Sequence, residues 1–139
     1  MRRMSWKIGA TAFAIGATLV EMTALYAQQP GFKRVELQRI DTSTPGWEAV
    51  LMRAEFEAKA EVGTHTHPGN EVAYILEGAL ELSVEGQAPR TLKQGESFSL
   101  PANTVHWAKN VAKGPTKVLV TYIVEKGKPI ATPVKTAMK

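Results

Sequence analysis

Apolar residues recur at every second position through much of the chain after Pro30, and this period constrains the fold more than any other feature. The pattern is clearest over residues 50–58, 80–84 and 118–124. A period of two places alternate side chains on one face of a β-strand, whereas an amphipathic helix needs apolar residues three and four positions apart. No stretch after residue 30 shows a convincing helical period. The sequence therefore predicts an all-β protein.

Segments rich in glycine, proline and asparagine separate these apolar stretches. Four of them are Pro68-Gly69-Asn70, Glu77-Gly78, Glu85-Gly86 and Pro101-Ala102-Asn103. Short strands with such turns between them are typical of antiparallel sandwiches and barrels, which close or protect their strand edges. A length of 139 residues suits one domain and leaves no room for a separate cofactor-binding domain. We predict one domain over residues 28–139, with its core at 45–126 and an extended arm after it.

The first 27 residues have the order of a secretory signal peptide. A cationic start at residues 1–7 precedes an apolar run at residues 8–20, and Ala27 supplies a small residue at the expected cleavage point. The apolar run is well short of the roughly 20 residues that cross a bilayer, so we expect no permanent membrane span after cleavage. Arg2-Arg3 also resembles a twin-arginine signal, with an ordinary signal peptide as the alternative. We predict an exported, periplasmic or secreted protein.

The chain has no cysteine, so any metal must bind nitrogen and oxygen ligands. His65 and His67 are two positions apart, which places both imidazoles on one face of a strand. Glu71 follows the turn at residues 68–70, and His106 comes just after the turn at residues 101–103. Three imidazoles and one carboxylate would make a site suited to iron, manganese, nickel, copper or zinc.

These residues resemble the two motifs of the cupin family. The first motif is matched by His65, His67, Glu71 and Gly78, and the second by Gly95, Pro101, Asn103, His106 and Asn110. Asn103 stands where the family has glycine, an exchange we expect to be tolerated because asparagine accepts a left-handed backbone. The family's leading glycine falls at Lys59. Neither departure touches a ligand position.

The resemblance implies a small antiparallel jelly-roll β-barrel, also called a double-stranded β-helix. It implies one divalent transition metal ion per chain, bound by His65, His67, Glu71 and His106. Iron, manganese or nickel are favoured, with zinc and copper as alternatives. Four protein ligands would close the shell of tetrahedral zinc, whereas a six-coordinate ion would keep two positions open for substrate. Tyr74 and Tyr122 are candidate catalytic residues, because a phenol near a metal can serve as acid or base.

We therefore expect a metal-dependent enzyme, with a dioxygenase acting on a small hydroxylated or enolisable organic compound as the first candidate. An isomerase or a lyase could use the same site. A different class of function is a non-catalytic module that binds or senses a metal or a small ligand. Apolar residues expected beside the site, such as Ala54, Phe56 and Phe98, favour a small ligand that is largely uncharged or aromatic.

Two interactions with macromolecules can be judged from the sequence. The net charge is +4, but Arg2, Arg3 and Lys7 supply part of it, and the other positive charges alternate with glutamates. Because phosphate binding needs a basic stripe, we expect no nucleic acid partner. The strand at residues 118–124 is apolar on both faces, so one face would lie outside the barrel. We expect a homodimer to cover it.

Overall fold

The computed structural model describes residues 29–135. The predicted signal peptide at residues 1–27 lies outside the described residues. Ten strands are present: β1 Phe32–Asp41, β2 Trp47–Phe56, β3 Glu61–Thr66, β4 Asn70–Glu77, β5 Ala79–Val84, β6 Arg90–Lys93, β7 Ser97–Leu100, β8 His106–Asn110, β9 Thr116–Glu125 and β10 Thr132–Pro133. Within residues 29–135, no helix has the length and apolar character needed to cross a membrane. The prediction of an all-β protein is confirmed.

The strands form two five-stranded antiparallel sheets, with the orders β1-β2-β9-β4-β7 and β10-β3-β8-β5-β6. From β2 onward the chain crosses from one sheet to the other at every connection except the β5–β6 hairpin. Repeated crossing between two facing sheets is the arrangement of a jelly roll, or double-stranded β-helix. The predicted fold class is therefore confirmed.

The core lies between the sheets and follows the period of two. In β2, every second residue from Val50 to Phe56 is buried. In β9, every second residue from Val118 to Val124 is buried. Val50 and Val124 have no exposed surface. Burying a side chain of this size contributes about 1.5–3 kcal/mol. Apolar burial on these two adjacent strands therefore fixes which side chains face the interior.

The domain extends beyond the core expected at residues 45–126. At the start, β1 pairs with β2 from Phe32 opposite Phe56 to Asp41 opposite Glu48. At the end, β10 pairs with β3, and the Val134 amide donates a 2.9 Å hydrogen bond to the Thr64 carbonyl. The arm expected after residue 126 is therefore attached to a sheet edge. A two-residue strand is too short to show a period in the sequence.

A buried asparagine at the end of β8 joins several loops. Asn110 is 1% exposed. Its Nδ2 donates to the carbonyls of Phe56, Glu57 and Gly114 at 3.3, 2.8 and 2.9 Å. Its Oδ1 accepts a 2.8 Å hydrogen bond from the Thr116 hydroxyl. Because the side chains of Asn110 and Thr116 are themselves buried, this network satisfies their polar groups and holds the loops at the end of the sandwich opposite the histidines.

Candidate metal centre

The candidate site is built from facing pairs of residues on the two sheets. His65 of β3 and His106 of β8 are cross-strand partners in one sheet. Glu71 of β4 and Tyr122 of β9 are cross-strand partners in the other. All four residues are buried, with exposed fractions from 2% to 6%. Because the sheets pack face to face, both pairs project into the same space.

The three histidines form a compact cluster. The ligand atoms of His65, His67 and His106 all lie within 4.8 Å of one another. The Oε2 atom of Glu71 lies 3.3 Å from the Nε2 of His67 and 3.3 Å from the Nε2 of His106. The structure thus brings together all four residues that the sequence predicted as metal ligands.

Local backbone features give these side chains a common direction. The β3–β8 register shifts between Val62 and His65, so both residues point inward although they are an odd number of positions apart. Such an irregularity re-aims a side chain, and it is common beside functional sites. His67 follows β3 and keeps the inward phase of His65. The turn at residues 68–70 then returns the chain to the opposite sheet at Glu71.

Each imidazole is oriented by a hydrogen bond to the backbone. The pairs are His65 Nδ1 with the Gly63 carbonyl at 2.7 Å, His67 Nδ1 with the Ile130 carbonyl at 2.5 Å, and His106 Nδ1 with the Thr104 carbonyl at 2.9 Å. A carbonyl oxygen can only accept, so each Nδ1 carries the proton and donates it. The Nε2 lone pair of each neutral ring is thereby available to a ligand.

This arrangement fits a bound cation. The Nε2 of His67 and the Oε2 of Glu71 are buried and make no hydrogen bond within residues 29–135. With the imidazole proton on Nδ1, both atoms are acceptors, so their 3.3 Å approach satisfies neither. Buried acceptors without a donor are costly, and a divalent ion would satisfy them together. The nitrogen and oxygen donor set suits the transition metals expected from the sequence.

The protonation states also suit metal binding. Burial, and then repulsion from His106 when that ring is protonated, lower the pKa of His65 to about 3. Burial acts to raise the pKa of Glu71, but His106 and His67, when they carry a proton on Nε2, outweigh it and lower the pKa to about 2. Near neutral pH, His65 is therefore an uncharged imidazole and Glu71 a carboxylate. These are the forms that bind metals.

The two tyrosines expected at the site lie in different places. Tyr122 is 2% exposed, and its ring centroid lies 4.5 Å from that of His67. Burial and the charge of Glu71 raise its pKa, so it stays protonated and can donate a hydrogen bond. Tyr74 is 47% exposed on the outer face of β4. Residues 71 and 74 are an odd number of positions apart, so Tyr74 points away from the site and the prediction of a catalytic role for it is wrong.

Arg34, an inward-facing residue of β1, was not predicted from the sequence. It lines a cavity of about 30 Å³ together with His65, Glu71, His106 and Tyr122. Most residues of β1 are exposed, so the sequence shows no apolar alternation from which its inward face could be read. The only signal was the inward phase that Arg34 shares with Phe32.

The size and charge of the cavity differ from those expected for an uncharged or aromatic ligand. Ala54, Phe56 and Phe98 line it, as predicted, but Arg34 adds a positive charge. A cavity of about 150 Å³ is needed to hold benzene, whereas this one measures about 30 Å³. The expectation of an uncharged or aromatic ligand is therefore not supported by the cavity as it stands.

The fold and the site together define a small jelly-roll protein with a candidate metal centre enclosed between its two sheets. The profile of the cupin domain family matches residues 52–122, just over half of the chain. The chain belongs to the cupin domain family. The matched span contains all three histidines, Glu71 and Tyr122.

Relatives with assigned names share part of this domain. A germin-like protein, subfamily 2 member 2 of Arabidopsis thaliana, is 43% identical over 63 residues, which is 42% of this chain and 29% of that protein. Acireductone dioxygenase of Parvibaculum lavamentivorans is 32% identical over 80 residues, which is 55% of this chain and 40% of that protein. The chain thus spans less than half the length of either relative.

Solved structures show the same fold. Oxalate oxidase in complex with the substrate analogue glycolate has a TM-score of 0.62 at 23% identity, over 88% of this chain and 63% of that one. A double-stranded β-helix protein from Klebsiella pneumoniae has a TM-score of 0.61 at 16% identity, over 86% of this chain and 99% of that one. At such identities the likeness concerns the fold alone.

Proposed function

We propose that this protein is a metal-dependent enzyme that uses dioxygen to oxidise a small organic compound. The observation that carries the proposal is a cluster of three oriented imidazoles, two of which approach a buried carboxylate oxygen that has no hydrogen-bond donor within residues 29–135. Oxalate oxidase among the similar structures and acireductone dioxygenase among the relatives support oxygen chemistry on this fold.

His65, His67, His106 and Glu71 would hold one iron, manganese or nickel ion, which when bound supplies Lewis acidity and electron transfer. The carbonyls of Gly63, Ile130 and Thr104 fix the orientation of the three rings. Apolar side chains in the cavity lining, among them Phe56 and Phe98, lower the local dielectric, which strengthens electrostatic interactions inside the cavity. Tyr122, which is neutral, donates a hydrogen bond to an oxygen atom of the substrate.

The metal site is tested by elemental analysis of protein purified without chelators. We expect about one equivalent of a transition metal in the wild type, and less than about a tenth of that in His65→Ala and His106→Ala. The control is Tyr74→Phe, which changes an aromatic residue on the outer face. Equal metal content in the wild type and in both histidine variants would contradict the proposal.

The reaction is tested by oxygen uptake with the metal-loaded protein. We expect uptake with at least one small 2-hydroxy acid, diol or 1,3-dicarbonyl, and none in the His106→Ala variant. Consumption of a substrate without oxygen uptake would instead identify an isomerase or a lyase.

A non-catalytic module that binds metal or a small ligand is the second candidate. The cavity of about 30 Å³ favours it, because a substrate larger than a few atoms needs the site to open. Stoichiometric metal without turnover of any compound in the panel would support this candidate and contradict the first.

A further inference from the structure

Arg34 lacks the partner that neighbouring arginines have. Arg39 of β1 contacts Glu36 and Glu48, and Arg53 of β2 lies 2.6 Å from Glu55. Within the part of the chain that the structure describes, no carboxylate lies within ion-pair distance of Arg34, and its Nε is buried without a hydrogen-bond partner. A guanidinium partly removed from water without a counter-charge is costly to the fold.

The side-chain neighbours of Arg34 do not neutralise its positive charge. Its guanidinium carbon lies 4.8 Å from the ring centroid of Phe32, within the range of a cation–π interaction. It also lines the same cavity as the Tyr122 phenol, whose pKa its positive charge acts to lower. Neither partner is an anion. The carboxylate that shares the cavity, Glu71, approaches His67 and His106 and forms no ion pair with Arg34 within residues 29–135.

Arg34 lies between the cavity beside the histidines and a second pocket. Arg34, Val62 and His65 line both the inner cavity of about 30 Å³ and an outer pocket of about 200 Å³. The outer pocket lies between β3 and the C-terminal residues 131–134. Arg34 is therefore the charged side chain that the two spaces share, and it lies beside His65 in both.

We propose that Arg34 binds the carboxylate of a small organic anion and that such anions are the ligand class of this site. The proposal rests on the proposed function, because it places the anion beside the predicted metal ligands. The charges agree with it: Glu71 and Arg34 cancel, so a divalent ion bound through neutral imidazoles would leave two positive charges for a mono- or dianion. Guanidinium matches a carboxylate with two parallel hydrogen bonds, and Tyr122 adds a neutral donor.

The test compares acetate with acetamide, which has nearly the same shape and no charge. Binding is measured by calorimetry on the full chain, both metal-free and loaded with manganese. We expect acetate to bind more tightly than acetamide, and Arg34→Gln to weaken acetate by about tenfold or more. Arg34→Lys keeps the charge without the fork, so it should fall between the wild type and Arg34→Gln.

The matched control is Arg53→Gln, which removes one positive charge from the outer face of the same sheet and should leave acetate binding unchanged. Melting temperatures check that every variant is folded, and Arg34→Lys decides the result if Arg34→Gln is unfolded. Equal binding of acetate and acetamide, or of acetate to the wild type and a folded Arg34 variant, would overturn the proposal.

Metal content, measured on the same samples, separates the two proposals. One equivalent of metal per chain, with acetate affinity unchanged in the Arg34 variants, would overturn the anion site and leave the metal site supported. Acetate binding that depends on Arg34 in a protein that takes up no metal would support the anion site and contradict the proposed function.

Discussion

Asn103 shows how one residue in a turn supports the site. Its φ is 61°, which is the left-handed region that the sequence analysis expected for the residue replacing a motif glycine. Its amide donates a 2.8 Å hydrogen bond to the carbonyl of His67. The backbone conformation of Asn103 therefore supports the position of a predicted metal ligand.

We expect Asn103→Val to lower the free energy of unfolding by about 1–3 kcal/mol, because a β-branched residue is strained at positive φ. Asn103→Gly should change it by less than about 0.5 kcal/mol, since glycine adopts this conformation freely. Urea unfolding of the two variants checks this. Equal loss in both would show that the asparagine side chain, and not its backbone conformation, is what matters.

The pKa of His65 predicts how stability depends on pH. The folded protein lowers this pKa from 6.5 to about 3. Between those values the unfolded chain binds a proton that the folded protein does not, so stability falls as pH drops from 6.5 towards 3. The lowered pKa of Glu71 extends the loss in the same direction, from pH 4.5 towards 2.

We expect urea unfolding of the metal-free protein to show a steady loss of stability from pH 7 to pH 4. The contribution of His65 should not exceed about 1.4 kcal/mol per pH unit. His65→Gln removes this titration and should give a shallower slope. A slope unchanged by the substitution would assign the loss to other groups.

At the scale of the strand and turn, the first motif depends on a close backbone approach. A Cβ added to Gly69 would lie 1.9 Å from the carbonyl oxygen of Ile123 in β9. Glycine is therefore required for the turn that carries the chain from His67 to Glu71.

Gly69→Ala should displace this turn and lower manganese affinity by about tenfold or more, although every ligand side chain is kept. The control is Gly114→Ala, where an added Cβ meets no atom within 4 Å. Metal competition with a chromogenic chelator measures both. Unchanged affinity in Gly69→Ala would show that the turn relaxes without moving Glu71.

The segment that leads into β10 contributes to the site through its backbone. The Ile130 carbonyl accepts the Nδ1 proton of His67, and β10 pairs with β3 beside it. Truncation after Pro129 should therefore weaken metal binding by about 10- to 100-fold, the usual effect of losing an outer partner of a metal-bound histidine. Truncation after Lys135 keeps both contacts and serves as the control, and equal affinity of the two truncated proteins would contradict this role.

The sequence predicted the parts of this molecule that have a strong local signal. The period of two identified β2 and β9, and the spacing of His65, His67, Glu71 and His106 identified the cluster. Arg34 and Ile130 could not be predicted, because their roles depend on where the chain ends meet the sheets. The prediction for Tyr74 failed although the sequence contains the reason. Residues 71 and 74 are an odd number of positions apart in one strand, so their side chains lie on opposite faces.

At the scale of the whole molecule, the outer face of the sheet β1-β2-β9-β4-β7 exposes several apolar side chains. The exposed apolar side chains of this sheet include Ile40, Val72, Tyr74, Leu76 and Ile123, each between 37% and 56% exposed. They lie on β1, β4 and β9 of one sheet. The sequence analysis expected a homodimer to cover apolar residues of β9, and we propose that a second copy covers this face.

Val72→Glu should convert the dimer to a monomer, because two added charges would meet across a symmetric interface. Light scattering coupled to gel filtration measures the mass. Val111→Glu is the control, since Val111 is 44% exposed and lies in the loop after β8 of the other sheet. A wild-type monomer at micromolar concentration, or a Val72→Glu dimer, would contradict the proposal.

Export is also a proposal about the whole molecule, and it rests on residues 1–27. Fractionation of cells that produce the full chain should recover a shortened form outside the cytoplasm. Replacing Arg2 and Arg3 with lysine should block export only if the twin-arginine route is used. A full-length cytoplasmic protein would contradict export.

The placement of the candidate ligands on both sheets has a mechanical consequence. His65 and His106 belong to one sheet and Glu71 to the other, so an ion held by all of them would cross-link the two layers of the sandwich. Separating the layers would then require breaking coordination bonds as well as apolar contacts. The bound ion would stabilise the folded protein against heating. The melting temperature would therefore rise with the concentration of free ion.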